Sequence, residues 1–347
     1  MNKHTAAIIL PYYGKFPNYF PLWLKSAGAN PSFTFMIFTD IDMSGYKIPA
    51  NVKVHHMTFD DIKKLIAPHL DFDFVLDIPY KLCDYRPMFG LVFEEYLAGY
   101  DFWGFCDCDL VFGNMSKFIT DDLLDRYDRL YRNGHLQLYR NVRDVNCFVR
   151  NNLPYWNISY YDIYRLPGWR GFDEFELSEH LFANFVGEGR QYFSPDFADP
   201  SVFYKEFRSW NGRTVTPAYR WKNGRVFSLA VNGNPELTIE HLYMHFIKRP
   251  MKFTPGLEEE SSFMAVPNEF VKDHELTQEE IAQLMTPDPQ YEQEMYAKYG
   301  KMFGPRPTIL SRIKTLIKKL VSNDPEKIYK LKLLENRLLR RRLPSKW

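Results

Sequence analysis

The chain has 347 residues, 45% hydrophobic and 17% aromatic, enough for one large domain with a full core. No uninterrupted apolar run of 18 residues occurs, so no membrane-spanning helix is expected. A net charge of +1 conceals a division: residues 301–347 hold 14 Lys/Arg against 3 Asp/Glu, leaving 30 and 40 in the first 300 residues. An acidic body with a basic tail implies a tail that meets something anionic.

In chain order, AAIILPYY (6–13) reads as a buried strand stopped by Gly14. The N-terminus lacks a small-residue cleavage site and runs straight into this strand, so it does not read as a secretory signal. Pro17–Ala27 suits a helix, FTFMIFTD (33–40) a second strand, and NVKVHHM (51–57) a half-buried third. FDDIKKLIAPHL (59–70) has acids first and bases after, as a helix dipole prefers. Residues 86–97 read as a buried helix, and DFWGFCDCDLVFG (101–113) as one strand. This alternation predicts a parallel sheet with helices on its faces. Beyond it, 119–134 reads as a helix, 135–141 as a strand, and 210–233 as a hairpin around Asn223-Gly224. Residues 238–254 form a late strand and loop, and 309–321 and 325–342 two basic helices. The four cysteines (83, 106, 108, 147) form no zinc-like pair of pairs, which fits a reduced, cytoplasmic protein.

Asp107 and Asp109 carry the chemistry. In an open parallel sheet, ligands bind beyond the carboxyl ends of the strands. Residues i and i+2 of an extended segment point the same way, so both carboxylates can face one ligand. Two close like charges repel unless a cation lies between them. Mg²⁺ and Mn²⁺ take such oxygen ligands, usually with substrate phosphates.

This Asp-X-Asp after an apolar strand, preceded by strand–helix units, resembles a GT-A fold nucleotide-diphosphosugar glycosyltransferase of the bacterial cell-surface polysaccharide (capsule or O-antigen) type. The resemblance spans roughly residues 5–255. It implies an α/β fold, a GT-A-like Rossmann-type mixed sheet with helices on both faces, plus the basic helical tail. Residues 1–255 would be the catalytic domain, with a nucleotide-binding half (1–114) and an acceptor half (115–255). Residues 256–308 would be a connection and 309–347 the tail. The opening IILPYYGKFPNYF and the end of the second strand place Pro11, Tyr12, Tyr13 and Asp40 at the donor. KLCDYRP implies the same for Lys81, Asp84 and Arg86. GWRGFDE (168–174) is similar to the Gly-Trp-Gly-Gly-Glu-Asp segment of inverting galactosyltransferases and implies Asp173 as the base, with Glu174 in reserve. It departs from that segment at Arg170 and Phe172. HLYMHFIKRP (241–250) implies His245 as the third metal ligand beside Asp107 and Asp109, with Lys248 on the phosphates and His241 as the competing ligand. An imidazole ligand favours Mn²⁺ over Mg²⁺.

The resemblance implies a metal-dependent, inverting hexosyltransferase. Its donor would be UDP-linked, galactose or galactofuranose, and its acceptor a glycan or lipid-linked glycan. Trp156, Tyr160, Tyr161, Trp169 and Trp210 are candidates for an acceptor wall. The tail would lie on an anionic membrane surface at the cytoplasmic face. No nucleic-acid partner is expected, and a homodimer is left open. Two other readings compete: a haloacid-dehalogenase-like phosphatase using Asp107 and Asp109, with SPDFADP (194–200) as its acidic pair, and a non-catalytic carbohydrate- or membrane-binding protein.

Overall fold

The structure is a computed structural model describing residues 3–150, 159–231, 238–303, 326 and 329–332. The chain forms two compact units, each assembled from separated segments. The first comprises 1–56, 104–125 and 193–304; the second comprises 57–103, 126–192 and 305–347. Both mix helices and strands.

The first unit opens with β1 (Ala6–Pro11), β2 (Phe33–Thr39) and β3 (Val52–His56), joined in parallel with β1 opposite Phe33–Phe38. Helix α1 (Phe20–Gly28) crosses from β1 to β2 and buries Phe20, Leu22, Trp23 and Leu24. Two-sided burial explains the unbroken apolar runs of β1 and β2. These elements match the sequence expectation within two or three residues.

The DFWGFCDCDLVFG run is not one strand. β4 (Phe102–Cys106) lies next to β1 in the sheet; it ends before Asp107, and β5 (Leu110–Phe112) begins after Asp109. The aspartates therefore sit in the turn between two strands that belong to different sheets.

The helix expected over 119–134 is cut short. It runs only from Asp121 to Arg126, where the chain passes from a first-unit to a second-unit segment. Past the unit boundary the chain extends into β6 (Arg129–Leu130), which pairs antiparallel with β7 (Leu136–Arg140) and parallel with β8 (Gln191–Tyr192). Burial of Arg129 and Leu130 between two strands overrides a helical pattern. The helix expected over 86–97 is likewise reduced to Phe89–Val92 followed by turns. Helix α2 (Phe59–Ile66) has the full capping box: Thr58 accepts from the Asp61 amide, and Asp61 accepts from that of Thr58.

Back in the first unit, β9 (Phe207–Arg208) and β10 (Val215–Thr216) form a short antiparallel pair. β11 (Tyr219–Lys222) and β12 (Arg225–Ser228) form the expected hairpin. Asn223 and Gly224 have φ of 49° and 78°, the two left-handed residues that a tight primed turn requires. β13 (Ile239–His241), β15 (Ser262–Val266) and β16 (Glu269–Lys272) complete a five-stranded sheet with them, while β14 (Tyr243–His245) leaves to pair with β5. Trp221, Phe263 and Phe270 of that sheet share a core with Tyr19, Leu22, Val111 and Met244. Residues 262–272, expected within a connection, are thus an integral part of this sheet.

The tail helices expected over 309–321 and 325–342 lie almost wholly outside the described residues. Glu326 and residues 329–332 are helical, Tyr329 is buried, and Lys332 pairs with Asp162 of the second unit at 2.7 Å.

Candidate functional site

Register builds the candidate metal-ligating group. β5 and β14 pair antiparallel with Leu110 opposite His245, and the Phe246 amide donates to the Asp109 carbonyl at 3.2 Å. This brings an imidazole from 136 positions down the chain beside the aspartates. Gly113 permits the crossing: its position presses on the His241 carbonyl, where a Cβ would collide. The indole of Trp23, on α1, donates to the Asp107 carbonyl at 3.0 Å and fixes the turn from below.

Oxygens of Asp107 and Asp109 and a ring nitrogen of His245 all lie within 4.8 Å of one another. His245 Nε2 is 3.9 Å from Asp107 Oδ2 and 3.6 Å from Asp109 Oδ1. The other ring nitrogen is committed: His245 Nδ1 donates to Asp199 Oδ1 at 2.9 Å. Asp199 sits on a segment that runs along β14, where the Ala198 amide donates to the Tyr243 carbonyl and the His245 amide to that of Ala198. That carboxylate fixes the tautomer and turns Nε2 toward the aspartates, the usual arrangement around a metal-binding histidine.

The electrostatics fit a cation. Burial and the Asp107 charge push the Asp109 carboxyl up from its ordinary range, against the pull of His245 and Lys248. Burial alone would lower His245, but Asp109, Asp199 and Asp107 outweigh it and push the imidazole up to about 9. Asp109 Oδ1 is buried and accepts no hydrogen bond among the described residues. Two carboxylates, one of them with an orphaned oxygen, and an oriented imidazole suit a divalent ion with mixed oxygen and nitrogen ligands. His241 is not in this group. Burial lowers its pKa to about 4, and its ring lies among Asp196, Glu240 and Tyr219.

The expected donor residues divide between the two units. In the first, Pro11, Tyr12 and Asp40 stand at the carboxyl ends of neighbouring parallel strands, and the Tyr12 amide donates to the Phe38 carbonyl. Tyr12 heads a column of rings, stacked on Phe16 at 4.7 Å, which stacks on Phe20. Burial, together with Cys108 and the two aspartates, raises the Tyr12 hydroxyl pKa. Tyr13 is buried, and Asp40 is exposed. Lys248 is exposed in a turn three residues past His245, with φ of 54°, and its charge bears on Asp109.

In the second unit, Lys81, Asp84 and Arg86 come together with the Gly168–Glu174 segment. Arg86 Nη1 pairs with Asp173 Oδ2 at 2.9 Å, and Asp173 is buried. Glu174, not Asp173, is the N-cap of the Phe175–Val186 helix, and it makes no side-chain cap bond. Tyr160 and Tyr161 lean on Phe72, and Trp169 on Tyr80; Trp210, in the first unit, meets Phe203 edge-on. Trp156 lies outside the described residues.

The sequence reading missed Asp199 as the partner of His245. The signal was SPDFADP, weighed only as a phosphatase acidic pair.

The chain belongs to DUF6625, a family of unknown function, whose model matches residues 8–274. No curated protein matches it. Among solved structures, the chain is similar to the galactosyltransferase LgtC in complex with donor and acceptor sugar analogues, at 12% identity and a TM-score of 0.30, covering 57% of this chain and 77% of that one. An active-site mutant of LgtC gives 13% identity and 0.31 over 57% and 76%.

Proposed function

We propose that this chain is a metal-dependent glycosyltransferase of GT-A type that moves a sugar from a nucleoside diphosphate to a hydroxyl acceptor. The observation that carries the reading is the convergence of Asp107, Asp109 and an Asp199-oriented His245 at the edge of the first unit's strands. Asp107, Asp109 and His245 would hold the ion, Mn²⁺ in preference to Mg²⁺. A bound divalent ion would offset the negative charge that develops on the departing diphosphate. Lys248 adds a positive charge for the same phosphates. Tyr12, with Pro11, Tyr13 and Asp40, receives the nucleoside, for which UDP is the default, carrying galactose or galactofuranose.

The acceptor hydroxyl needs a carboxylate to take its proton as it attacks. The loop of Asp173 and Glu174 supplies it in this reading, with inversion at the anomeric carbon. Asp173 is buried with its Oδ2 held by Arg86, whereas Glu174 is only partly buried, so Glu174 is the first candidate and Asp173 the second. Glu174→Gln is expected to cut turnover by roughly 10²–10⁴-fold with UDP affinity unchanged. A product that keeps the donor's anomeric configuration would rule out this single displacement.

The acceptor is a glycan or lipid-linked glycan of a cell-surface polysaccharide. No described helix is long and apolar enough to cross a membrane. The basic tail would hold the enzyme on an anionic cytoplasmic bilayer surface. Liposome co-sedimentation with and without residues 309–347 tests this; the full chain ignoring anionic vesicles at low salt would end it. The experiment that decides the main reading is a nucleotide-sugar panel scored by manganese-dependent thermal stabilisation and product formation. Stabilisation by UDP-sugars supports it; hydrolysis of phosphate monoesters instead would favour a phosphatase.

A further inference from the structure

The charged residues of KLCDYRP have contacts that answer a different need from donor binding. Lys81 and Asp84 are fully buried and pair at 2.7 Å; Lys81 Nζ also donates to the Ile163 carbonyl at 3.0 Å. Asp84 Oδ1 accepts from the Phe172 amide at 2.9 Å, and Asp84 Oδ2 from the Arg170 amide at 2.8 Å. Two positions on, Arg86 Nη1 donates both to the Gly134 carbonyl at 2.8 Å and to Asp173. The Gln137 side-chain amide completes the set by donating to the Asp173 carbonyl at 2.7 Å.

The segment held this way has no ladder of its own. Residues 165–172 are turns and coil, and Gly168 and Gly171 take φ of 69° and 74°. A backbone of that kind keeps one shape only if outside groups accept its amides. Asp84 accepts two of them and a lysine besides, which leaves its oxygens little capacity for a ligand. Swinging Lys81 or Asp84 out to a nucleotide would strand the other charge in the interior.

We propose that Asp84, supported by Lys81 and Arg86, is a positioning residue: it clamps the Gly168–Glu174 loop in the shape that transfer uses and does not contact the nucleotide. The clamp stands on geometry alone; what the loop does rests on the glycosyltransferase reading. The variant to make is Lys81→Met/Asp84→Leu, which removes both charges together and leaves neither buried alone. If it does not fold, Lys81→Met/Asp84→Asn keeps the shape of the second side chain.

Amide exchange of the full chain is followed across residues 163–174, with UDP and manganese chloride as the binding probe. Exchange at Arg170 and Phe172 is expected to speed up roughly ten- to a hundredfold. UDP affinity should stay within about twofold, and kcat should fall while the donor KM holds. Unchanged exchange overturns the clamp, whatever the activity. Faster exchange together with lost UDP affinity overturns the claim that the nucleotide is not touched. If the wild type takes no UDP with manganese, the glycosyltransferase reading fails, and the exchange result still decides the clamp.

Discussion

Two groups of buried or half-buried charges lie in the two units, and they are built on opposite rules. In the second unit each acid has its cation within hydrogen-bonding distance: Asp84 has Lys81 and Asp173 has Arg86. In the first, Asp107 and Asp109 converge on each other, and the ring of His245 turns its edge to them at 3.6 Å and beyond. A matched set of charges is a finished structure. A set with like charges facing one another is a structure that expects something to arrive.

This contrast yields its strongest test in paired substitutions. Asp109→Asn should weaken manganese binding by roughly a hundredfold or more, beyond what loss of a supporting group costs, and abolish transfer. Without metal, the same variant should melt no lower than the wild type, because one of two repelling charges is gone. Calorimetry with and without manganese reads both halves; a large loss of metal-free stability would break the comparison. Asp84→Ala should do the reverse. It leaves Lys81 buried and unpaired, for about 3–5 kcal/mol of lost stability in urea unfolding. A loss under about 1 kcal/mol would show that Lys81 reaches water and that the second group is less complete than described.

Next in size is Asp199→Asn. It keeps the shape but weakens the grip on His245 Nδ1, and should lower manganese affinity roughly ten- to a hundredfold. An unchanged binding isotherm would show that His245 is oriented without it.

The smallest effect concerns a surface pair that serves as a baseline. Glu240 accepts from Arg225 Nε at 3.0 Å and from Lys117 Nζ at 2.6 Å. The Arg225 hydrogen bond holds its carboxyl below the ordinary value, against burial. The folded state thus binds fewer protons there than the unfolded chain. The stabilisation is complete above the ordinary carboxylate value of about 4.3 and is lost as pH falls through the lowered one. At neutral pH, Glu240→Gln should cost about 0.5–1 kcal/mol, since Arg225 and Lys117 are half exposed. In unfolding curves taken across pH, that difference should close at the acid end; a difference that widens there would reverse the sign.

The legible parts of the sequence were those fixed by neighbours along the chain. β1 to β3 were readable from apolar runs of the right length, and the β11–β12 turn from two residues that tolerate positive φ. The aspartates stood out because carboxylates are rare in an aromatic run. His245 came from resemblance, not from spacing. What stayed hidden was set by distant partners. Arg129 and Leu130 look helical until β7 and β8 flank them. Asp199 stands out within SPDFADP, but nothing in that stretch ties it to His245, 46 positions away. The turn at Asp107–Asp109 was hidden because β4 and β5 read as one apolar stretch, and only the pairing of β5 with β14 breaks it.

That pairing also sets a timetable. Asp109 leaves the ribosome 136 residues before His245. At roughly 5–20 residues per second, the gap is about seven to twenty-seven seconds of synthesis. Throughout it, β1 to β3 can assemble while β5 lacks its β14 neighbour and the two aspartates lack their imidazole. A nascent chain halted short of β14 therefore carries the full Asp-X-Asp motif but only two of the three ligands. In the proposed reading, metal capture would follow the synthesis of β14 and would not seed the early folding of β1 to β3.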